Sequence, residues 1–245
     1  MVAAERARQP MPLAPETPSG NWLLARLPRE DRFRVDRRLT RVPFRTQEVL
    51  YATDSVIRQV YFPTSGLISI VAELENGRVV EVATVGPEGL LGISLFLDNN
   101  AARQLAVGQI AGECLVMRAA AFDDAVAESA AFGSLLRRYS NAYMSLLAHS
   151  AACNGAHRTA NRLARWLLTC QDAARSDHFA ITQEFLANTL GVQRPAVSLV
   201  AEQLQAEGAI SYRRGRIHVL DRRLLEDHAC ECYGKIREDY DELLP

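Results

Sequence analysis

Hydrophobic positions along this chain change their period more than once, and each change marks an element boundary. From about Val42 to Met117 they fall in short β segments, EVLYATD, QVYFPTSGLISIVAEL, RVVEVATV and LAVGQIAGECLVM. Turn-formers separate them, among them Asn76-Gly77, a strong hairpin pair. Short strands at this spacing predict a small antiparallel roll or barrel. Upstream, Trp22 to Arg38 reads as helix interrupted at Pro28, and residues 1–20 read as a disordered tail. Downstream the period becomes 3.6. The segment GSLLRRYSNAYMSLLAHSAAC carries one apolar stripe through Leu135, Tyr139, Ala142 and Leu146 and another through Leu136, Tyr143 and Leu147. One stripe is expected to pack on the roll and the other to meet a partner, the alternative being that both bury within one chain. Asn154-Gly155 is expected to break this helix and act as a hinge. An amphipathic helix, RTANRLARWLLTCQDAAR, follows, and residues 221–242 predict one final charged helix.

The stretch ITQEFLANTLGVQRPAVSLVAEQLQAEGAISYRRGRIHVL, residues 181–220, predicts a winged helix-turn-helix. Thr182 is placed to cap a helix whose first turn carries Glu184. Phe185, Leu186, Thr189 and Leu190 form its apolar face, and Gly191 suits the left-handed turn that follows. A second helix from about Gln193 has Pro195 in its first turn, where a missing N–H costs nothing. Burial of Val197, Val200, Ala201 and Leu204 leaves Gln193, Arg194 and Ser198 facing outward. Two strands then turn at Gly215, with Arg213, Arg214 and Arg216 around the turn. A short helix with Gln and Arg at its start, beside a cationic hairpin, suits a DNA major groove and its flanking phosphates. The backbone N–H groups after Thr182 are a further phosphate site.

Composition narrows the function classes. The net charge of −1 and pI ≈ 6.5 exclude a global polycation, so DNA binding rests on the local arginines. Lacking an apolar core, the N-terminal stretch is not read as a signal peptide; no window suits a membrane span, and an odd number of irregularly spaced cysteines leads to the expectation of a reduced, cytoplasmic protein. Five cysteines at irregular spacing predict reduced thiols, with Cys114 buried in a strand. No histidine precedes His149, which argues against histidine-held haem in the roll and against a cupin-type metalloenzyme. An iron–sulfur cluster would need about four cysteines there. His228-Ala-Cys230-Glu-Cys232 raises the question of a C-terminal metal site. On a continuous helix Cys230 and Cys232 point about 200° apart, so they are expected to dock the last helix rather than chelate, and His228 with Cys232 offers only two ligands. No metal, cofactor or catalytic residue is expected.

The order of roll, long helix, Asn-Gly hinge, helix and winged helix-turn-helix resembles the Crp/Fnr family of bacterial transcription regulators. The resemblance runs from about Trp22 and is strongest at ITQEFLANTLGVQRPAVS, YFPTSG and VGPEGLLG. It implies an α+β fold in four parts: the tail 1–20, a jelly-roll-like cyclic-nucleotide-binding-type sensor domain 21–130, a dimerisation helix 131–154 and a DNA-binding domain 155–245. It also implies a homodimer on a pseudo-palindromic duplex, with RNA polymerase a further partner. The family's base-reading positions fall on Gln193, Arg194 and Ser198; Leu199 stands where some members carry a second base-reading arginine. In cyclic-nucleotide-binding relatives a Gly-Glu pair takes the ribose and a later Arg-Ser or Arg-Thr clamps the phosphate. Here Ile93 replaces the ribose carboxylate. Arg103 lies near the phosphate arginine's place, but Gln104-Leu105 follows it. Glu88 and Arg103 are therefore the candidate ligand residues of an incomplete cassette; an exposed loop arginine and a solvated turn are their plainer readings. Ordinary cyclic AMP binding is not expected.

Overall fold

The computed structural model describes residues 20–244, so the tail predicted at 1–20 lies outside the described residues except for Gly20. Two short helices, α1 (Trp22–Ala25) and α2 (Arg29–Asp36), open the described residues on either side of Pro28. Asn21 caps α1 by accepting from Leu24 N at 3.0 Å, while its amide donates to the Pro63 and Gly89 carbonyls and ties the helix to the roll. The roll follows as β1 (Thr40–Phe44), β2 (Val49–Tyr51), β3 (Gln59–Glu73), β4 (Val79–Val85), the one-turn α3 (Ile93–Phe96) and β5 (Leu105–Arg118). The sheet runs β1-β5-β3-β4 with β2 also on β5, and the pairs are antiparallel. Asn76-Gly77 makes the β3–β4 turn, Gly77 at φ +77. Gly66 and Gly112 let β3 and β5 approach closely; a Cβ on Gly112 would lie 2.1 Å from the Ser65 carbonyl oxygen.

Helix α4 (Ala119–Glu128) leads to α5 (Ala130–Ala156), the long helix, capped by Ser129. The expected break at Asn154-Gly155 is corrected: α5 runs through both residues, and the chain turns extended only at His157. A helical glycine costs about 1 kcal/mol. Burial of Leu146, Ser150 and Cys153 along the same helix outweighs that. Helix α6 (Thr159–Ala174) then enters the C-terminal module of β6 (His178–Ala180), α7 (Gln183–Leu190), α8 (Arg194–Ala206), β7 (Ile210–Arg213) and β8 (Arg216–Val219).

The single final helix is also corrected. It is two, α9 (Arg222–His228) and α10 (Cys232–Leu243), with Ala229 in extended backbone between them. Asp221 caps α9, and the Arg222 guanidinium is held by Asp172 at 2.9 Å, Glu226 at 2.8 Å and the Tyr233 hydroxyl at 2.6 Å. Helix α10 turns back along α5: Ser145 donates to Asp239, His149 Nε2 lies 3.1 Å from Asp239 Oδ2, and Tyr240 meets Tyr139 edge-on at 6.4 Å. The apolar stripes of α5 are accordingly both occupied within the chain. Leu135, Leu136 and Tyr139 sit in the roll's core, while Tyr143, Leu146 and Leu147 pack in a second cluster with Ile236 and Tyr240. What α5 leaves exposed is a third line through Arg137, Asn141, Met144 and Ala148.

The C-terminal module rests on the roll. Leu67 of β3 belongs to the same buried cluster as Leu163, Trp166 and Leu190. Trp166 donates its indole N–H to Glu81 of β4 at 2.8 Å, and Arg78 donates to the Gly191 carbonyl at 3.1 Å.

Candidate DNA interface and sensor roll

The helix-turn-helix is built as its local sequence dictates. Thr182 Oγ1 accepts from Phe185 N at 3.1 Å, closing one of the orphan donors of α7. Gly191 takes φ +63, and the turn is locked by Val192 N donating to the Ala187 carbonyl at 3.0 Å. Helix α8 starts at Arg194 with Gln193 in extended backbone at the N-cap and Pro195 in the first turn. Val197, Ala201 and Leu204 are buried against α6 and α7, which turns Gln193 and Arg194 to solvent and leaves Ser198 half-buried.

One residue on this face was not singled out from sequence. Gln183, in the first turn of α7, accepts from Ser198 Oγ at 3.0 Å and from Arg194 Nε at 3.4 Å. It holds both side chains toward one groove, lined also by Pro195, Leu199 and Glu202. The signal was faint, because a Gln one position after a cap is ordinary. Leu199 is 70% exposed at its centre, an apolar surface suited to a thymine methyl.

The wing sits beside this groove. Arg214 and Gly215 both have positive φ, +48 and +73, the geometry of a tight hairpin turn, and they bring Arg213 opposite Arg216. All three arginines are exposed, and no side-chain hydrogen bond or ion pair among the described residues occupies their guanidinium groups. Two bonds fix the wing to the start of α7: Ile181 N donates to the Gly215 carbonyl at 2.8 Å, and the Tyr212 hydroxyl donates to the Ile181 carbonyl at 2.8 Å. Gly215 thereby lies against Thr182, its Cβ position 3.9 Å from Thr182 Cγ2. Strand β6, not foreseen from sequence, adds a third strand to the wing sheet through β8.

In the roll, Ile93 is 9% exposed and packs in the core. Arg103 projects into solvent and pairs with Asp54 at 3.2 Å. Glu88 is not in a solvated turn: its carboxylate folds back to accept from Gly86 N at 2.8 Å, and burial raises its pKa. Its surroundings include Asp172, Tyr139 and Tyr240, while Arg103 pairs with the β2–β3 loop. The two candidate ligand residues thus share no partner. Gly89 is pinned by Tyr139, whose hydroxyl lies 2.5 Å from where a Cβ would be and donates to the Leu90 carbonyl at 3.0 Å.

A Crp-like helix-turn-helix domain matches residues 161–228, and a cyclic nucleotide-binding domain matches residues 41–129, together more than half of the chain and in the order expected. The chain belongs to the Crp/Fnr family. No curated protein matches the sequence. Among solved structures it is similar to FixK2 of Bradyrhizobium japonicum, 18% identical over 78% of this chain and 98% of that one, with a TM-score of 0.66. The Crp-family transcriptional regulator TTHB099 of Thermus thermophilus is 24% identical over 77% and 96%, at 0.63. The c-di-GMP-responsive regulator CLP of Xanthomonas campestris is 17% identical over 78% and 99%, at 0.59. At such identities the likeness carries the fold.

Crp/Fnr regulators are DNA-binding proteins rather than enzymes, and they typically act as dimers. A cyclic nucleotide needs an acceptor for the ribose and a fixed cation for the phosphate. The residues that the resemblance aligns with these two roles are Ile93, packed in the core, and Arg103, solvent-facing and already paired with Asp54.

Proposed function

We propose that this Crp/Fnr chain is a cytoplasmic, homodimeric, sequence-specific transcription regulator that binds a pseudo-palindromic operator without cyclic AMP. Its functional parts are the roll over 21–130, the long helix over 131–154 and the DNA-binding domain over 155–245, with RNA polymerase a further partner. The observation carrying the reading is the Gln183-organised pair Arg194 and Ser198 at the exposed start of α8, next to the unoccupied wing arginines. Arg194 reads a guanine through O6 and N7, and Gln193 and Ser198 contact neighbouring bases. Arg213, Arg214, Arg216 and the N–H groups after Thr182 hold phosphates and set register. With the apolar stripes of α5 occupied within the chain, the dimer face is the remaining line through Asn141, Met144 and Ala148, Met144 being 60% exposed.

Selection of random duplexes by the purified, ligand-free protein at fixed near-physiological salt tests the proposal. Enrichment of a palindrome with half-sites about one helical turn apart supports it. No enrichment by folded, dimeric protein refutes effector-free binding. A second reading, a regulator gated by a small anion at Arg103, draws on that residue's exposure. Under it, thermal stabilisation by the anion is seen in the wild type and lost in Arg103→Ala.

A further inference from the structure

Four metal-competent side chains that are far apart in sequence meet where α5 ends and α9 gives way to α10. Cys153 lies in the last turn of α5 and His157 at its C-cap, one turn further on. Cys230 lies in the non-helical joint, and Cys232, two residues later, opens α10. The interruption removes the opposed directions that a continuous helix would impose on the two cysteines. Their neighbour His228 turns away to pair with Glu207.

One ligand atom from each of Cys153, His157, Cys230 and Cys232 lies within 4.8 Å of the other three. Cys153 Sγ and Cys230 Sγ are 3.5 Å apart, and Cys232 Sγ and His157 Nδ1 are 3.7 Å apart. Sulfurs about 2.3 Å and a ring nitrogen about 2.0–2.1 Å from a tetrahedral zinc ion would be separated by roughly 3.5–3.8 Å. These two edges already match that spacing, and drawing in the remaining edges from at most 4.8 Å would complete the tetrahedron. All three sulfurs belong to free, buried cysteines, which form a cluster of their own apart from the apolar cores.

The surroundings match a metal site in two further ways. His157 presents Nδ1 to the cluster and Nε2 to Glu231 Oε1 at 3.2 Å, the carboxylate–histidine arrangement that orients a metal-bound imidazole. The Nε atoms of Arg162 and Arg165 are buried with no hydrogen-bond partner among the described residues. Both guanidinium groups are close enough to act electrostatically on Cys153. Three thiolates and a divalent cation leave a net charge of −1, the Glu231 carboxylate on His157 adds a second negative charge, and these two arginines would balance both.

We propose that Cys153, His157, Cys230 and Cys232 form a closed site of three thiolates and one imidazole for one zinc-type divalent cation. Four protein ligands leave no open position, so the site is structural. It clips the C-terminal segment to the joint between α5 and α6, through which the long helix leads into the DNA-binding domain. Binding displaces the three thiol protons to solvent.

The test is elemental analysis of the full-length protein purified under reducing conditions, followed by cobalt loading of the chelator-stripped form. One zinc per chain is expected, together with the intense visible bands and thiolate-to-cobalt charge transfer of a tetrahedral site with three sulfur ligands and one nitrogen. Cys232→Ser should lose stoichiometric metal. His157→Cys should keep it and move the cobalt spectrum to that of an all-thiolate site, a readout that survives if the serine variant fails to fold. Glu231→Gln should bind the metal about 10–100-fold more weakly. Folded wild-type protein with no bound zinc and no cobalt bands overturns the proposal. So does iron accompanied by acid-labile sulfide, or a Cys153–Cys230 disulfide under the same reducing conditions.

Discussion

Glu81 places an ionisable group inside the contact between the roll and the DNA-binding domain, and its protonation should be visible in stability. The carboxylate accepts from Trp166 Nε1 at 2.8 Å and from the Ser69 hydroxyl, with Arg165 nearby, yet burial dominates and pushes its pKa from 4.5 up to about 7. A folded-state pKa above the unfolded value means that the folded chain binds the extra proton. The stabilisation is fully present below about pH 4.5 and is lost as pH rises through about 7. The whole shift is worth about 3 kcal/mol, and integration between about pH 5.5 and 8 assigns about 2 kcal/mol to that window. For a chain of this size about 2–4 °C of melting temperature accompanies each kcal/mol, hence about 4–8 °C. Glu81→Gln removes the titration while its amide still accepts from Trp166 and still reaches Ser69. Melting curves of the two proteins by circular dichroism, in steps across that range, should therefore diverge. The wild type should fall by several degrees relative to the variant toward pH 8. Parallel curves would refute the buried-carboxylate reasoning.

Other consequences concern the DNA face and the assembly. Arg194→Ala should cost ~1–3 kcal/mol on the preferred operator and relax selection at a single base position, measured by competition among point-substituted duplexes. Unchanged base preference would remove Arg194 from base reading. Arg214→Ala should weaken all duplexes alike and reduce the slope of log affinity against log salt by about 1, and a loss confined to one sequence would contradict a phosphate contact. Met144→Arg places a charge on the exposed line of α5 and should shift the protein toward monomer in light scattering while leaving its circular dichroism unchanged. A dimer of undiminished strength would move the interface elsewhere.

What was legible in the sequence was local. The cap at Thr182, the left-handed Gly191, the proline-started α8, the Gly215 wing and the Asn76-Gly77 hairpin are each fixed by backbone preferences within a few residues, and each forms as expected. What misled were positions where distant packing overrode those preferences. Asn154-Gly155 stays helical because Cys153 is drawn into contact with Cys230, 77 residues later. Residues 221–242 break because the chain must turn from α9 to reach α5, and that break undoes the argument against Cys230 and Cys232 sharing a ligand. Likewise, the period of α5 reveals two apolar stripes but not that α10 covers one of them. Gln183 escaped notice for the same reason: its role is visible only once α8 crosses α7.

The docking contact and the DNA face are joined by side chains in direct succession. Glu81 on β4 holds Trp166 on α6, whose ring lies 6.2 Å from that of Phe185 on α7. Two residues before Phe185, Gln183 positions Arg194 and Ser198 on α8. Contiguity alone does not establish coupling, which is a free energy and must be measured as one. A double-mutant cycle supplies it, with operator affinity determined at fixed salt for the wild type, Glu81→Gln, Gln183→Ala and the double variant. If α6 and α7 move as one body with the roll contact, the two changes should interact by about 0.5–2 kcal/mol. Additivity within about 0.3 kcal/mol would mean that the recognition surface is insensitive to how the domain rests on the roll. The cycle should be run at about pH 8 and again near pH 5.5, because protonated Glu81 already resembles glutamine. The interaction should therefore shrink at the lower pH, an outcome that a merely structural weakening by either substitution would not produce.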